Sequence, residues 1–145
     1  TAVKRMTRID FYVLPDDQID KQYLFACRLA QKATKQGHRV YIHTGSESQS
    51  QQLDELLWSF SATSFVPHTR DANEFSTHPV YIHHSGDPLD IHDVLINLSH
   101  QTPECFGRFE RLAELVNQDE KIKLAGRERF KFYKSRGYPL QTHKL

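Results

Sequence analysis

The residues best suited to chemistry lie near the end of the chain, in the stretch LAGRERFKFYKSRGY (124–138), which holds five Lys or Arg residues and four aromatic rings. The pattern predicts a helix over residues 119–137, ended by Gly137 and Pro139. On a helical wheel, four cations and one ring fall within about 100° of one another. This cationic face consists of Lys123, Arg127, Phe130, Lys131 and Lys134.

The cationic face suggests a binding surface. Like charges four residues apart repel one another by a few tenths of a kcal/mol, and an exposed Phe130 among them would gain only about 0.5–1 kcal/mol from a cation–π contact. A solvated helix face is the alternative. Two ligands would suit the face: nucleic acid, through phosphates and ring stacking, or an acidic peptide with an apolar last residue, which would place its carboxylates on the cations and its apolar side chain against the ring.

Charge is segregated along the chain. Residues 119–145 hold eight Lys/Arg and three Asp/Glu, a net of +5, and the other 11 bases and 15 acids give −4. Little basic surface remains elsewhere for extended DNA, so this asymmetry favours a compact site for an acidic peptide.

Histidines and aspartates are concentrated in YIHHSGDPLDIHD (81–93). His83, Asp87 and His92 are of types that ligate metals, but adjacent His83 and His84 on a strand would point to opposite faces. No HExxH frame is present. The pattern favours a polar loop, and we expect neither a metal nor a cofactor.

Other catalytic patterns lack support. No GxSxG elbow holds a serine near a histidine. The loop after the first strand, LPDDQID, has no glycine, and its three aspartates would repel a phosphate. No GxGxxG or GxxxxGK[ST] occurs. We therefore expect a protein without catalytic activity of its own.

A second candidate surface is LDELLWSFSATSFVPH (53–68), where five large apolar residues lie within ten positions at the exit of a helix. They are Trp58, Phe60, Phe65, Val66 and Pro67. They could cover the core, or they could form a protein-binding surface in which Trp and Phe anchors contribute about 2 kcal/mol or more each.

The elements that must position these residues alternate between strands and helices. Strands are predicted at 8–14, 38–45, 64–69, 78–84 and 93–99, and helices at 18–37, 46–58, 103–116 and 119–137. Alternation of this kind predicts an α/β fold, Rossmann-like, with a mostly parallel sheet and helices on both faces.

Length and composition indicate one domain over residues 6–145 of the 145. Residues 1–5 precede the only methionine, and we expect them to be a remnant of cloning. No apolar run approaches the roughly 18 residues of a membrane span. The two cysteines, Cys27 and Cys105, form no metal-ligand spacing. We expect a reduced, cytoplasmic protein.

The two candidate surfaces, together with DVLINL (93–98), resemble the chi subunits of bacterial DNA polymerase III holoenzyme. The resemblance runs from DFYVL (10–14) to the last residues and is weakest at 69–92. It implies a Rossmann-like accessory subunit for DNA replication. Such a subunit pairs with the psi subunit of the clamp loader, binds the acidic C-terminal tail of single-stranded DNA-binding protein, and meets DNA mainly indirectly.

The resemblance also implies site residues. The surface for psi corresponds to Trp58 and Phe65, with Val66 and Pro67 beside them. The tail site corresponds to Lys123, Arg127, Lys131 and Val116, and Lys134 extends its cationic face. Phe130 stands where the family commonly has tyrosine, so the apolar wall is kept and a hydroxyl is lost. In this interpretation Lys123 or Arg127 pairs with carboxylates of the tail. Direct binding of single-stranded DNA by the basic helix is the alternative.

Overall fold

The computed structural model describes residues 6–61, 66–71, 73–74, 77–85, 88 and 91–145. In this described part of the chain, seven strands form one parallel sheet in the order β3-β4-β2-β5-β6-β1-β7. The strands are β1 Arg8–Val13, β2 Val40–His43, β3 His68–Thr69, β4 Val80–His83, β5 Val94–Asn97, β6 Arg111–Val116 and β7 Leu140–Lys144. The predicted α/β class with a parallel sheet is confirmed.

Within the described residues, three α-helices lie between strands: α1 Ile19–Lys35, α2 Glu47–Ser59 and α3 Glu120–Ser135. Ser46 caps α2 by accepting a hydrogen bond from Gln49 N, and Asp119 caps α3 by accepting one from Ile122 N. These caps satisfy amide groups that the first turn leaves unpaired. None of the helices in the described part of the chain is long and apolar enough to cross a membrane.

Alternating side chains on the strands divide the core into two apolar layers, as a sheet covered on both faces requires. Along β2, Val40 and Ile42 pack with α1 and α2, whereas Tyr41 between them faces the layer that contains Tyr133 of α3. Helices α1 and α2 thus cover one face of the sheet and α3 covers the other.

Strand β7 lies at one edge of the sheet, next to the first strand. Strand β1 pairs with β6 on one side and with β7 on the other, so that Ile9 is in register with Leu112 and with Leu140. The carboxyl ends of β6, β1 and β7 therefore meet at the same edge of the sheet, beside helix α3.

The helix predicted over residues 103–116 is wrong. A short 3₁₀ helix, Phe106–Arg108, precedes strand β6, which runs between β5 and β1 and buries five of its six residues. Leu, Ala and Glu favour helices, but a strand buried on both faces has no alternating pattern to reveal it. Strand β7 was not predicted either, because its edge position leaves polar residues exposed.

Candidate functional site

A cavity of about 510 Å³ lies between helix α3 and the carboxyl ends of β6, β1 and β7. Its lining comes from β1 and the loop after it, β6 and the loop after it, α3, and β7. The residues are Phe11, Val13, Leu14, Pro15, Val116, Asn117, Gln118, Lys123, Gly126, Arg127, Phe130, Thr142, Lys144 and Leu145. We call this space the α3 cavity.

The inner part of the α3 cavity is apolar. Phe11 and Val116 are buried, and Phe130 is partly buried against the same core layer. The rings of Phe11 and Phe130 meet edge to face with their centroids 5.3 Å apart. Phe130 therefore has a local stabiliser that sequence reasoning did not anticipate, and its ring forms a wall of the cavity instead of standing free among the cations.

Gly126 allows α3 to lie this close to the sheet. A Cβ atom built on Gly126 would overlap Val116 Cγ1, at a separation shorter than real Cβ contacts show. Glycine is thus required here for close approach and not for an unusual backbone angle. The helix comes down onto the end of β6, and the apolar part of the cavity opens beside this contact.

The rim of the α3 cavity is cationic. Lys123 and Arg127 reach it from α3, and Lys144 reaches it from β7. No Asp or Glu is among the described residues that line it. Uncompensated cations beside an apolar floor suit a ligand that carries a carboxylate next to an apolar group.

A buried polar network holds α3 in place beneath the cationic face. Arg129 Nε donates to Glu114 Oε1 at 3.0 Å, and Tyr133 Oη donates to Glu114 Oε2 at 2.5 Å. Asn97 Nδ2 donates to both carboxylate oxygens. Burial raises the pKa of Glu114, and the Arg129 charge and these hydrogen bonds oppose that rise. Of the arginines of α3, Arg129 is buried and Arg127 is exposed.

Two predicted cations of the cationic face stand outside the α3 cavity. Lys131 is exposed and forms an ion pair with Glu128 at 3.6 Å, with both side chains about three quarters exposed. Lys134 is exposed in the last turn of the helix. The structure thus brings together Lys123, Arg127, Phe130 and Val116 of the predicted tail site, and it leaves Lys131 and Lys134 further along the helix.

Sequence reasoning missed several residues of the cavity. Phe11 belongs to the first strand, and Asn117 and Lys144 follow or belong to strands that were not predicted. The only sequence signal for Lys144 was its place in the basic C-terminal segment. Nothing in the sequence singled out Asn117.

The aromatic surface at the end of α2 is partly described. Trp58 is 64% exposed, and its ring meets that of His68 edge on, with centroids 5.3 Å apart. Pro67 is exposed, whereas Val66 is buried in the core layer of α1 and α2. Phe65 lies outside the described residues. Of the four residues, Trp58 and Pro67 offer surface to a partner.

The histidine-rich stretch shows no metal site in the part of the chain that the structure describes: no group of three His, Cys, Asp or Glu side chains could hold an ion there. His83 Nδ1 instead lies 2.7 Å from Ser85 O, and the rings of His83 and His84 stack. Asp87 and Asp90 lie outside the described residues. Burial lowers the pKa of the neighbouring His43 from 6.5 to about 4, and the charges of His84 and His83 contribute to that shift.

Comparison with known proteins gives one consistent family. Residues 6–141 match the family described as "DNA polymerase III chi subunit, HolC". The chain is 44% identical over 140 residues to the DNA polymerase III subunit chi of Pseudomonas aeruginosa, covering 97% of this chain and 98% of the relative. It is 32% identical over 138 residues to the protein of that name from Haemophilus influenzae, covering 93% and 95% of the two chains. The identity with the subunit chi of Escherichia coli is 29% over 151 residues, covering 94% and 97%. The chain therefore belongs to the family of DNA polymerase III chi subunits.

Proposed function

We propose that the chain is a non-catalytic accessory subunit of DNA polymerase III that joins the clamp loader to single-stranded DNA-binding protein in the cytoplasm. Its α3 cavity would bind the acidic C-terminal tail of that protein. Its aromatic surface around Trp58 would bind the psi subunit. Family membership supports the replication role, and the geometry of the two surfaces supports their separate assignments.

The observation that carries the tail assignment is the pairing of an apolar floor with an unopposed cationic rim. Phe11, Val116 and Phe130 supply apolar walls, and Lys123 and Arg127 stand on the helix above them. An acidic segment that ends in an apolar residue would bury its last side chain and place its carboxylates among these cations. Neither half of the site alone would select such a ligand.

Affinity should be modest and should weaken with salt. Each exposed ion pair contributes only about 0.2–1 kcal/mol, and charges at the rim are screened over about 10 Å at 0.1 M ionic strength. The apolar last residue of the tail should supply the rest of the binding free energy, because burying a large apolar side chain contributes about 1.5–3 kcal/mol.

Calorimetric titration of two tail peptides tests this assignment. One peptide carries the full acidic sequence with its apolar last residue, and the other lacks that residue. The full peptide should bind at least tenfold more tightly, in line with the apolar burial. Equal affinities of the two peptides would contradict binding in the α3 cavity.

Direct binding of single-stranded DNA is less well supported by the geometry. Base stacking needs an exposed ring, and Phe130 instead packs edge to face on Phe11 inside the cavity wall. A labelled single strand, added without any tail peptide, discriminates the two functions. Tight and steeply salt-dependent binding by this chain alone would favour the DNA-binding alternative.

The psi assignment depends on Trp58, whose exposed ring is of the kind that anchors protein interfaces. We expect Trp58→Ala to abolish co-purification with psi while the affinity for the tail peptide stays within about twofold, since the surfaces belong to different elements. Phe65→Ala should act in the same way. If either change removed both interactions, damage to the fold would be the explanation, and unfolding measurements would reveal it.

A further inference from the structure

Asn117 lies in the loop between β6 and α3 and contributes to the lining of the α3 cavity. Its side chain is fully buried. Oδ1 accepts a hydrogen bond from Asp119 N at 2.9 Å, which closes a turn over three residues. This bond also decides the orientation of the amide, because only the oxygen can accept from a backbone N–H.

The other end of the same amide is a donor without an acceptor. Nδ2 is buried, and none of the described residues accepts a hydrogen bond from it. A buried donor of this kind is costly to leave unmatched. The loop around it is well anchored, since Gln118 N donates to Asp16 O at 2.9 Å and Gln118 Nε2 donates to Leu14 O at 3.0 Å. Asn117 itself is therefore held in the lining of the cavity, with Oδ1 fixed on Asp119 N.

The surrounding charges indicate which acceptor would match this donor. Lys123 and Arg127 on one side of the cavity and Lys144 on the other favour an anion. A carboxylate has several lone-pair sites and can accept from an amide and from cations together. The apolar floor lies in the same space, so the acceptor belongs to a group joined directly to an apolar side chain.

We propose that Asn117 Nδ2 donates a hydrogen bond to the terminal carboxylate of the segment bound in the α3 cavity, and so makes the site selective for a free chain end. This inference rests on the proposed tail-binding function and adds a specificity residue to it. Internal acidic segments with the same charge would lack the carboxylate beside the last apolar side chain. They would leave Nδ2 unmatched.

A cycle of two proteins and two peptides tests the proposal by calorimetry. The peptides are the acidic tail with a free terminal carboxylate and the same tail with a terminal amide. The proteins are the wild type and Asn117→Asp, which keeps an oxygen to accept from Asp119 N but replaces the donor with an anion. The wild type should prefer the free acid by about tenfold or more, and Asn117→Asp should lose or reverse that preference.

Gln141→Glu is the matched control, because it adds the same unit charge at an exposed position of β7 outside the cavity lining. It should retain the preference of the wild type. Unfolding curves of both variants show whether the buried anion has changed the fold.

A second measurement uses the wild type alone and does not depend on the stability of any variant. The chain has three asparagines, Asn73, Asn97 and Asn117, so a protein labelled with ¹⁵N at asparagine gives three side-chain amide groups. The free-acid peptide should shift the Asn117 amide protons downfield, whereas the amidated peptide should shift them less. Asn97, whose amide already donates to Glu114 and to Gln101 O, should not respond in this way.

The outcomes separate this inference from the function on which it rests. If neither peptide binds the wild type, the tail-binding function fails and the role of Asn117 fails with it. If both peptides bind with equal affinity, or if Asn117→Asp keeps the full preference for the free acid, the tail-binding function stands and the role of Asn117 is overturned. An Asn117 amide that responds equally to both peptides would also overturn it.

Discussion

Arg129 and Glu114 form a buried ion pair, with Nε 3.0 Å from Oε1, directly beneath the helix whose outer side carries the cationic face. The pair joins α3 to the buried strand β6, and Tyr133 and Asn97 complete the bonds of the carboxylate. The position of the cations at the cavity rim therefore depends on one inward-facing arginine of the same helix. Sequence reasoning that counts all arginines as one basic cluster would overlook this division of roles.

Arg129→Met should reduce the free energy of unfolding at neutral pH by about 3–5 kcal/mol, because it leaves the buried Glu114 carboxylate without its charged partner. Burial already raises the pKa of Glu114. An acid whose pKa is raised in the folded state holds its proton to a higher pH there than in the unfolded chain. The free energy of unfolding therefore falls as the pH rises from the unfolded-state pKa to the folded-state pKa. The destabilisation by Arg129→Met should thus be smaller at about pH 5, where more of Glu114 is protonated, than at about pH 8. Urea unfolding at both pH values measures it, and an equal loss would show that Glu114 does not titrate.

Gly126→Ala distinguishes helix propensity from packing at the closest approach of α3 to the sheet. Propensity alone would stabilise the helix by about 1 kcal/mol. The overlap with Val116 Cγ1 predicts the opposite sign, a loss of about 1–3 kcal/mol. In the double variant with Val116→Ala, the loss should be smaller than the sum of the two single losses, because the clashing methyl group is gone. Additive losses in the double variant would show that the two residues are not in contact.

Arg127→Ala and Lys134→Ala remove the same charge from the same helix at positions inside and outside the lining of the α3 cavity. We expect the first change to weaken binding of the tail peptide about fivefold or more and the second by less than about twofold. Titrations at low and moderate salt separate local pairing from the general field of the helix. Equal effects would mean that the peptide lies along the cationic face and not in the cavity.

His43 should make stability depend on pH. Because its pKa is lowered from 6.5 to about 4 in the folded state, the unfolded chain takes up a proton first as the pH falls. Stability present above pH 6.5 is therefore lost between pH 6.5 and about 4, at up to roughly 1.4 kcal/mol per pH unit. His43→Gln should flatten this slope in urea unfolding measured at several pH values. His100→Gln, at an exposed position, is the control, and an unchanged slope in His43→Gln would contradict the assignment.

The sequence predicted secondary structure best where apolar residues recur at helical spacing or where a capping residue marks the start of a helix. The helix predicted at 18–37 is α1, Ile19–Lys35, and Ser46, where the next helix was predicted to begin, caps α2. The sequence was misleading at residues 103–116, because the second part of this range, which contains good helix formers, is the strand β6, buried on both faces. Glu114 shows why. An acidic residue normally indicates a solvent-facing position, but here the carboxylate is buried and accepts hydrogen bonds from Arg129 and Tyr133, which lie further along the chain.

Of the residues that line the α3 cavity, the sequence predicted Val116 and those of α3 that carry a cationic or aromatic side chain. The helical wheel grouped Lys123, Arg127 and Phe130, which do lie together, but it could not show that Phe130 faces Phe11 or that Asn117 and Lys144 complete the lining. Those residues are brought together by strand order, which local periodicity does not contain. Lys131 and Lys134 share the wheel position and stand beyond the cavity, because a cavity has an end along the helix axis and a wheel projection does not.

The pairing of β7 with β1 has a consequence for how the protein becomes active. Ile9 and Leu140 are in register, so two walls of the α3 cavity come from segments about 130 residues apart. Contacts between such distant segments are costly in chain entropy and tend to form late in folding. The binding proposed for the α3 cavity would therefore be acquired late in folding, after β7 has paired with β1, and incompletely folded copies would not take part in it.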